Sequence, residues 1–395
     1  MLNKELIVKI IDVDNNGNGI ARTNNIVVFI KGALKDEVVK IKIIEIKKKY
    51  MIGSIIEIIS ASDKRVNVTC PYYNKCGGCV FLHTTLDNEK DIKSNFIKNL
   101  FKEENINIID IDYEYNYRNK VTLHIKDGKL GLYEDSSNNL VEINNCLLLD
   151  NKINEVIEKL RTYDLSDLDE IVLRSTYYTK EVMVIINGLL NDKDVKDMLK
   201  LNITSLYFKD KLVYGKPYIT EIINNIKYTI YPKAFFQVNT RGMLLLYEKI
   251  KEYIGNGNTL LDLYSGTGTI GIYLKDNFKE VTGIEINKSA VLNANLNKQI
   301  NNIDNIKFIC DDSSIENKTY DSLVVDPPRS GLSNKVIYNI LKGNYNRVVY
   351  VSCNPLTLKR DLEYLKEKYT IKEISMLNMF VKSKHMECVV LLTRK

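Results

Sequence analysis

The second half of the chain sets the narrowest limits on its fold. Apolar runs at Leu260–Leu263, Val281–Ile286, Ile306–Ile309, Ser322–Val325 and Arg347–Ser352 alternate with helix-period stretches at Leu244–Tyr253, Thr269–Lys275, Lys288–Gln299 and Pro355–Glu367. Apolar strands separated by helices bury both faces in a parallel sheet flanked by those helices, which predicts a doubly wound α/β domain over residues 226–395. Such sheets bind ligands beyond the carboxyl ends of their strands, so chemistry is expected there.

A chain of 395 residues is too long for one ordinary domain. At its start, Leu6–Val13, Ile26–Ile30, Val38–Ile46 and Ile52–Ile58 read as strands, punctuated by Asn15–Gly19 and Lys31–Leu34. Four or five short strands without a helix predict a small all-β barrel over residues 1–59, of the size used by oligonucleotide-binding folds. Lys47, Lys48 and Lys49 beside Tyr50 suit backbone contact plus base stacking, and equally suit a solvated loop. Residues 60–225 carry a cysteine-rich loop, a helix over Leu86–Lys102 and strand-like pieces at Lys120–Ile125, Lys129–Tyr133, Ile171–Thr176, Val182–Ile186 and Ser205–Phe208. They read as a central α+β domain.

Hydrophobic content of 45% and charged content of 27% exclude disordered and fibrous classes. No apolar run approaches the ~20 residues of a membrane helix. A net charge of +6 permits a polyanionic partner without demanding one. Seven cysteines, with no signal-peptide core at the start, predict a reducing compartment where metal binding or catalysis outweighs disulfides. A cytoplasmic monomer with no membrane partner is expected.

Within Leu260–Gly271 a strand runs into a glycine loop that opens a helix, with the spacing Gly266-x-Gly268-x-x-Gly271. Glycines allow positive φ and close approach of a ligand to the backbone. Glu285 ends the next strand, where a carboxylate can accept both ribose hydroxyls. Asp262, beside the loop, disfavours a pyrophosphate and favours a cationic ligand, so S-adenosylmethionine is expected over a nicotinamide dinucleotide. Asp311-Asp312 after the third strand is placed to meet the adenine amino group.

Asp326-Pro327-Pro328-Arg329 follows another strand. It reads as an ordinary turn, or as the substrate-holding turn that it resembles in amino-methyltransferases. Val349–Ser352 leads to Cys353-Asn354-Pro355, a cysteine at a strand end beside a helix N-terminus, where a thiolate nucleophile is favoured over a buried thiol. His385-Met386-Glu387 opens the final strand and supplies a base. Cys70-x5-Cys76-x2-Cys79, with Cys146 downstream, resembles iron–sulfur ligation more than paired zinc ligands, and zinc is the alternative.

Taken in order, the three-cysteine motif, Phe235-Phe236-Gln237-Val238-Asn239, the glycine loop, Asp326–Arg329, Ser352–Pro355 and His385–Glu387 resemble the RNA uracil-5-methyltransferases. The iron–sulfur members that modify 23S ribosomal RNA fit best. Residues 1–59, with Gly17–Arg22 and Val28–Ala33, look like the TRAM barrel of those enzymes. The resemblance implies a Rossmann-like S-adenosylmethionine-dependent methyltransferase domain preceded by a TRAM barrel and an α+β domain. It implies that Gln237, Tyr264, Gly266, Gly268, Glu285 and Asp326 line the S-adenosylmethionine pocket, that Cys353 is the nucleophile and Glu387 the base, and that Cys70, Cys76, Cys79 and Cys146 hold a [4Fe-4S] cluster. Transfer-RNA uracil methyltransferases are the weaker match, on the ground that they lack the barrel and the cluster cysteines. The rival readings are a transfer-RNA enzyme, an amino-methyltransferase and a non-catalytic RNA-binding assembly protein.

Overall fold

The computed structural model describes residues 1–103, 105–189, 192–312 and 319–395. They divide into two units: Met1–Glu104 with Glu134–Ser137 and Phe380–Met386, and Asn105–Tyr133 with Asn138–Met379 and Glu387–Lys395.

In the first unit, strands Glu5–Lys9, Asp12–Val13, Asn18–Thr23, Ile26–Lys31, Val38–Ile46 and Tyr50–Ser60 form a single sheet. Alternate residues point inward, so Ala21, Val28, Ile30, Val39, Ile41 and Ile43 pack into one apolar core. The strand expected over Leu6–Val13 is two strands. Ile10 N–H bonds to the Glu37 carbonyl and Ile11 N–H to the Ile20 carbonyl, each at 2.8 Å, so the chain changes partner strand at that point. The stretch read as a turn through Gly19 already belongs to the Asn18–Thr23 strand. Just before the Val38–Ile46 strand, fully buried Glu37 accepts from Arg65 Nε at 2.5 Å and Nη2 at 2.8 Å.

The helix Leu86–Phe101 is capped by Thr85, whose Oγ1 accepts from Asn88 N–H at 3.3 Å. It ends at Lys102 in the left-handed region, φ 54°. Its buried face carries Glu89 and Lys93 beside Ser94 and Ile97.

In the second unit, the sheet order is Ile306–Cys310, Phe278–Glu285, Gly257–Leu263, Ser322–Val325, Arg347–Ser352, Glu387–Arg394, Tyr369–Leu377, Asn107–Ile109. Every neighbouring pair is parallel except those made by Glu387–Arg394, which runs against both neighbours. The chain order reverses between Gly257–Leu263 and Ser322–Val325, the place where open sheets leave a ligand crevice. A second sheet holds Leu140–Glu142, Lys129–Tyr133, Lys120–Lys126, Leu168–Ser175, Val182–Gly188, Ser205–Phe208 and Lys211–Gly215 in that order. A hairpin, Ile219–Ile223 with Ile226–Ile230, turns through Asn224 and Asn225 at φ 49° and 64°. Asn297 accepts from Thr229 N–H at 2.8 Å and fixes the hairpin on the helix Lys288–Ile300.

Candidate active site

Strand ends deliver the candidate residues to one edge of the large sheet. Leu263, Glu285, Val325 and Ser352 each end a parallel strand, so Tyr264, Asp326 and Cys353 follow at the same carboxyl edge. The antiparallel strand enters from that edge. Its register pairs Val351 with Val389 and Ser352 with Cys388, leaving Cys353 and Glu387 one step beyond the last pair. Residues separated by thirty-odd positions in sequence thereby stand across one strand boundary.

The residues of the glycine loop fit a cradle for S-adenosylmethionine. Gly266 has φ +54° and nothing within 4 Å of where a Cβ would stand, which leaves its backbone open to a ligand. Gly268 has φ +80°, and a Cβ there would lie 2.5 Å from the Phe308 ring, so a side chain is excluded on two counts. Glu285 accepts from Gly266 N–H at 3.1 Å and Asn287 N–H at 2.8 Å. Those bonds orient the carboxylate and leave a lone pair on each oxygen for hydroxyls. Gly266 and Glu285 line a cavity of about 600 Å³ together with Phe235 and Leu292. Asp311 lies beside this strand end, its N–H bonded to the Glu285 carbonyl at 3.1 Å.

Asp262 differs from the fixed negative charge expected of it. It is fully buried; Oδ2 accepts from Gly271 N–H at 3.0 Å, while Oδ1 has no partner. Burial pushes its carboxyl up to about 8, so below that pH it is mostly neutral until a cation arrives. An orphaned buried carboxyl oxygen is costly and marks a place for a donor or a positive group.

At the other end of the edge, Cys353, Glu387, Asp326 and Arg329 interact electrostatically. Burial, then Glu387 and Asp326, push the Cys353 thiol up to about 11, while the Arg329 guanidinium opposes them by charge and by a side-chain hydrogen bond. Burial and the Asp326 charge push the Glu387 carboxyl well above its ordinary range, again against Arg329. Burial raises Asp326 to about 7. The thiolate expected from the helix N-terminus is therefore not the resting state. The N-cap of Pro355–Leu365 is Asn354, whose Oδ1 takes Leu356 N–H at 3.2 Å, so Cys353 lies outside the helix amides.

Gln237 is buried, and its carbonyl accepts from Asn119 Nδ2 at 3.1 Å. Tyr264 is half-buried at φ +62°, an uncommon conformation for a tyrosine. Two residues left unassigned by sequence stand beside the candidate residues. Arg329 was visible in its motif, but its effect on the Cys353 thiol depends on folding. Asn354 holds the Arg329 carbonyl through Nδ2 at 3.0 Å.

Cys70, Cys76 and Cys79 fall in the first unit and Cys146 in the second. Among the described residues, no three or more His, Cys, Asp or Glu side chains are grouped so as to hold a metal ion. Like-charged thiolates have no mutual attraction, so spacing alone does not gather them.

Comparison with known proteins gives the family. The tRNA (Uracil-5-)-methyltransferase family model matches residues 83–314 and 310–395, and the TRAM domain model matches residues 1–56. An uncharacterized RNA methyltransferase of Staphylococcus epidermidis is 32% identical, covering 98% of this chain and 97% of its own. Another from Caldanaerobacter subterraneus is 35% identical over the same shares, 98% and 97%. The solved tRNA (uracil-54, C5)-methyltransferase of Pyrococcus abyssi, in complex with S-adenosyl-L-homocysteine, matches with a TM-score of 0.85 and 27% identity. That match covers 98% of this chain and 100% of the Pyrococcus chain, so it spans the barrel. Contrary to the expectation that transfer-RNA enzymes lack the barrel, the barrel does not separate this chain from a transfer-RNA enzyme. With its methyltransferase fold and N-terminal TRAM domain, the chain belongs to the S-adenosylmethionine-dependent RNA uracil-5-methyltransferase family.

Proposed function

We propose that this protein methylates C5 of a uracil in 23S ribosomal RNA, with Cys353 as nucleophile and Glu387 as base. The observation that supports this most is the meeting of Cys353, Arg329, Asp326 and Glu387 at the edge that also carries the glycine loop. Gly266, Gly268, Glu285, Gln237, Tyr264 and Asp326 would hold S-adenosylmethionine, which would supply an electrophilic methyl group. Cys353 loses its proton to solvent as Arg329 stabilises the thiolate, and the sulfur adds to uracil C6. The electron pair displaced from the C5–C6 bond makes C5 nucleophilic towards the methyl group. Once C5 has taken the methyl group, Glu387 in its carboxylate form removes the C5 hydrogen as a proton, the double bond re-forms, and the thiolate leaves. The base must be unstacked for the thiol to reach C6.

The choice of RNA rests on the cysteine spacing; the likeness to the Pyrococcus enzyme favours transfer RNA as the second reading. Incubation with transcribed 23S ribosomal RNA and with transfer RNA, followed by nucleoside analysis, decides between them. 5-Methyluridine in ribosomal RNA alone supports the proposal, and in transfer RNA alone overturns it. N-methyladenosine points to an amino-methyltransferase, and absence of methylation in both points to a binding protein.

A [4Fe-4S] centre on Cys70, Cys76, Cys79 and Cys146 is a separate reading. It is favoured by the spacing and by Gly78 N–H lying 3.4 Å from Cys76 Sγ, the kind of amide contact that steadies a thiolate. No step above passes through it. Anaerobically purified protein would contain iron and acid-labile sulfide, both lost in Cys76→Ser; stoichiometric zinc would overturn the reading.

A further inference from the structure

Arg174 is a buried cation held by backbone oxygens. It stands next to last on the Leu168–Ser175 strand, 3% exposed, directly across from Met183 on one side and Lys120, itself a cation, on the other. Among the described residues no carboxylate pairs with it. Burial lowers its guanidinium to about 10, which leaves it charged at neutral pH. A charge taken so far out of water needs strong hydrogen-bonding partners. Its Nη1 donates to the carbonyls of Tyr231 at 3.1 Å, Pro232 at 3.3 Å and Ala234 at 2.7 Å.

Asn119 extends the same hold. It is 6% exposed and precedes the Lys120–Lys126 strand, which pairs with Leu168–Ser175. Its carbonyl accepts from Ser175 N–H at 2.9 Å, its N–H donates to the Val238 carbonyl at 2.8 Å, and its Nδ2 donates to the Gln237 carbonyl. Two neighbouring residues thus hold the carbonyls of Tyr231, Pro232, Ala234, Gln237 and Val238. That stretch joins the strand Ile226–Ile230 to the helix Thr240–Ile254 and has no ladder of its own, so its backbone groups must be satisfied from outside. Tyr231, Pro232, Lys233, Ala234 and Phe235 also line the cavity that Gly266 and Glu285 line. The glycine loop reaches this wall through Thr267 Oγ1 and the Phe235 carbonyl, 3.5 Å apart, too long a bond to fix it.

We infer that Arg174 is a positioning residue for the cofactor: by gathering these carbonyls it fixes the Tyr231–Phe235 wall against which S-adenosylmethionine would lie. This rests on the reading of that cavity as the S-adenosylmethionine pocket. The partners of Arg174 are backbone atoms of the wall, not the groups around Cys353, so its loss should weaken cofactor binding and spare the chemical steps. Without it the wall samples other positions and the ligand must select the one that fits. A wall in place a tenth of the time raises the dissociation constant ~10-fold.

The test is calorimetric titration of full-length Arg174→Met with S-adenosylmethionine, beside hydrogen exchange over residues 231–238. The dissociation constant should rise ~10-fold. Exchange in that stretch should quicken in the free variant and slow again once the ligand saturates it. In turnover on the RNA it methylates, the loss should fall on KM for S-adenosylmethionine and not on kcat. Unchanged affinity, or a loss confined to kcat, would overturn the inference, and so would weaker binding with exchange over 231–238 unaltered. Glu285→Ala is titrated alongside. Normal binding there sinks the pocket reading first; weak binding there with normal binding in Arg174→Met sinks only the positioning role. Should Arg174→Met lack a cooperative melting transition, Arg174→Lys, which keeps the cation on a shorter side chain, is judged by the same titration and exchange.

Discussion

Asn354 Nδ2 donates to the Arg329 carbonyl at 3.0 Å, which ties Arg329 to the residue directly after Cys353. Its guanidinium favours the Cys353 thiolate, against the burial and the Glu387 and Asp326 charges that raise the thiol. With the thiol pushed up to about 11, roughly one Cys353 in a thousand is a thiolate at pH 8. Alkylation read by mass spectrometry on the Cys353 peptide should therefore be slow and should accelerate tenfold per pH unit. Arg329→Met removes the one group that favours the thiolate and should slow it by roughly tenfold at pH 8. Faster alkylation in that variant would contradict the arrangement.

Cys353 and Glu387 act on opposite sides of methyl transfer in the proposed mechanism, so their loss should stop the reaction at different points. Cys353→Ala should bind RNA and form no covalent adduct. Glu387→Gln should form the adduct, transfer the methyl group and stall before proton removal. His385, two residues earlier, is the rival base. Trapping by His385→Ala, with ordinary turnover in Glu387→Gln, would move the assignment to the histidine and leave Cys353 in place.

Glu285 holds the glycine loop through Gly266 N–H and retains acceptor capacity for a ligand. Glu285→Ala should weaken S-adenosylmethionine binding by ~1.5–3 kcal/mol, the scale of a hydrogen bond to a charged group. Calorimetric titration measures it. Undiminished affinity would place the ribose elsewhere.

Asp262 couples binding and stability to pH. Its carboxyl is raised to about 8 in the folded protein, so between the ordinary carboxylate range and pH 8 the folded state holds a proton that the unfolded state has lost. Stability from this group is complete at low pH and is lost as pH rises through about 8; Asp326, raised to about 7, acts in the same direction. The melting temperature of the free protein should fall from pH 6 to pH 8.5, and Asp262→Asn should flatten that slope. Affinity for cationic S-adenosylmethionine should rise over the same range, because the ligand favours the ionised carboxyl. A slope unchanged by Asp262→Asn would assign the proton to another group.

These residues show where local reading reaches its limit. Leu260–Leu263 and Ser322–Val325 were legible because they are buried on both faces and read as unbroken apolar runs. Tyr369–Leu377 was not, since Lys372 and Glu373 interrupt it where the register slips between Ile371 and Glu373. Asn107–Ile109, three residues at the sheet edge, has too few residues to show a period. Cys353 and Glu387 were each visible at a strand end, but their meeting depends on an antiparallel register that no local pattern encodes. Glu89 became a buried residue through a partner 293 positions away, a contact set by tertiary structure alone.

The barrel offers the cleanest test of RNA contact. Removing residues 1–59 would strip Arg65 of both Glu37 and the Gly32 carbonyl, to which its Nη2 donates at 2.8 and 2.7 Å, and so would disturb more than the RNA surface. Lys48 and Lys49 are better targets, since both are exposed, whereas Lys47 is paired with Glu45 and Tyr50 packs edge-on against Phe29 at 5.4 Å between ring centroids. Each lysine that touches a phosphate releases counterions on binding, so its loss lowers the slope of log affinity against log salt by roughly 0.7–0.9. Lys48→Gln/Lys49→Gln should therefore bind RNA more weakly at low salt and approach the unsubstituted protein at high salt. S-adenosylmethionine affinity should not change. An unaltered salt slope would remove these lysines from the RNA contact and assign it to other surfaces.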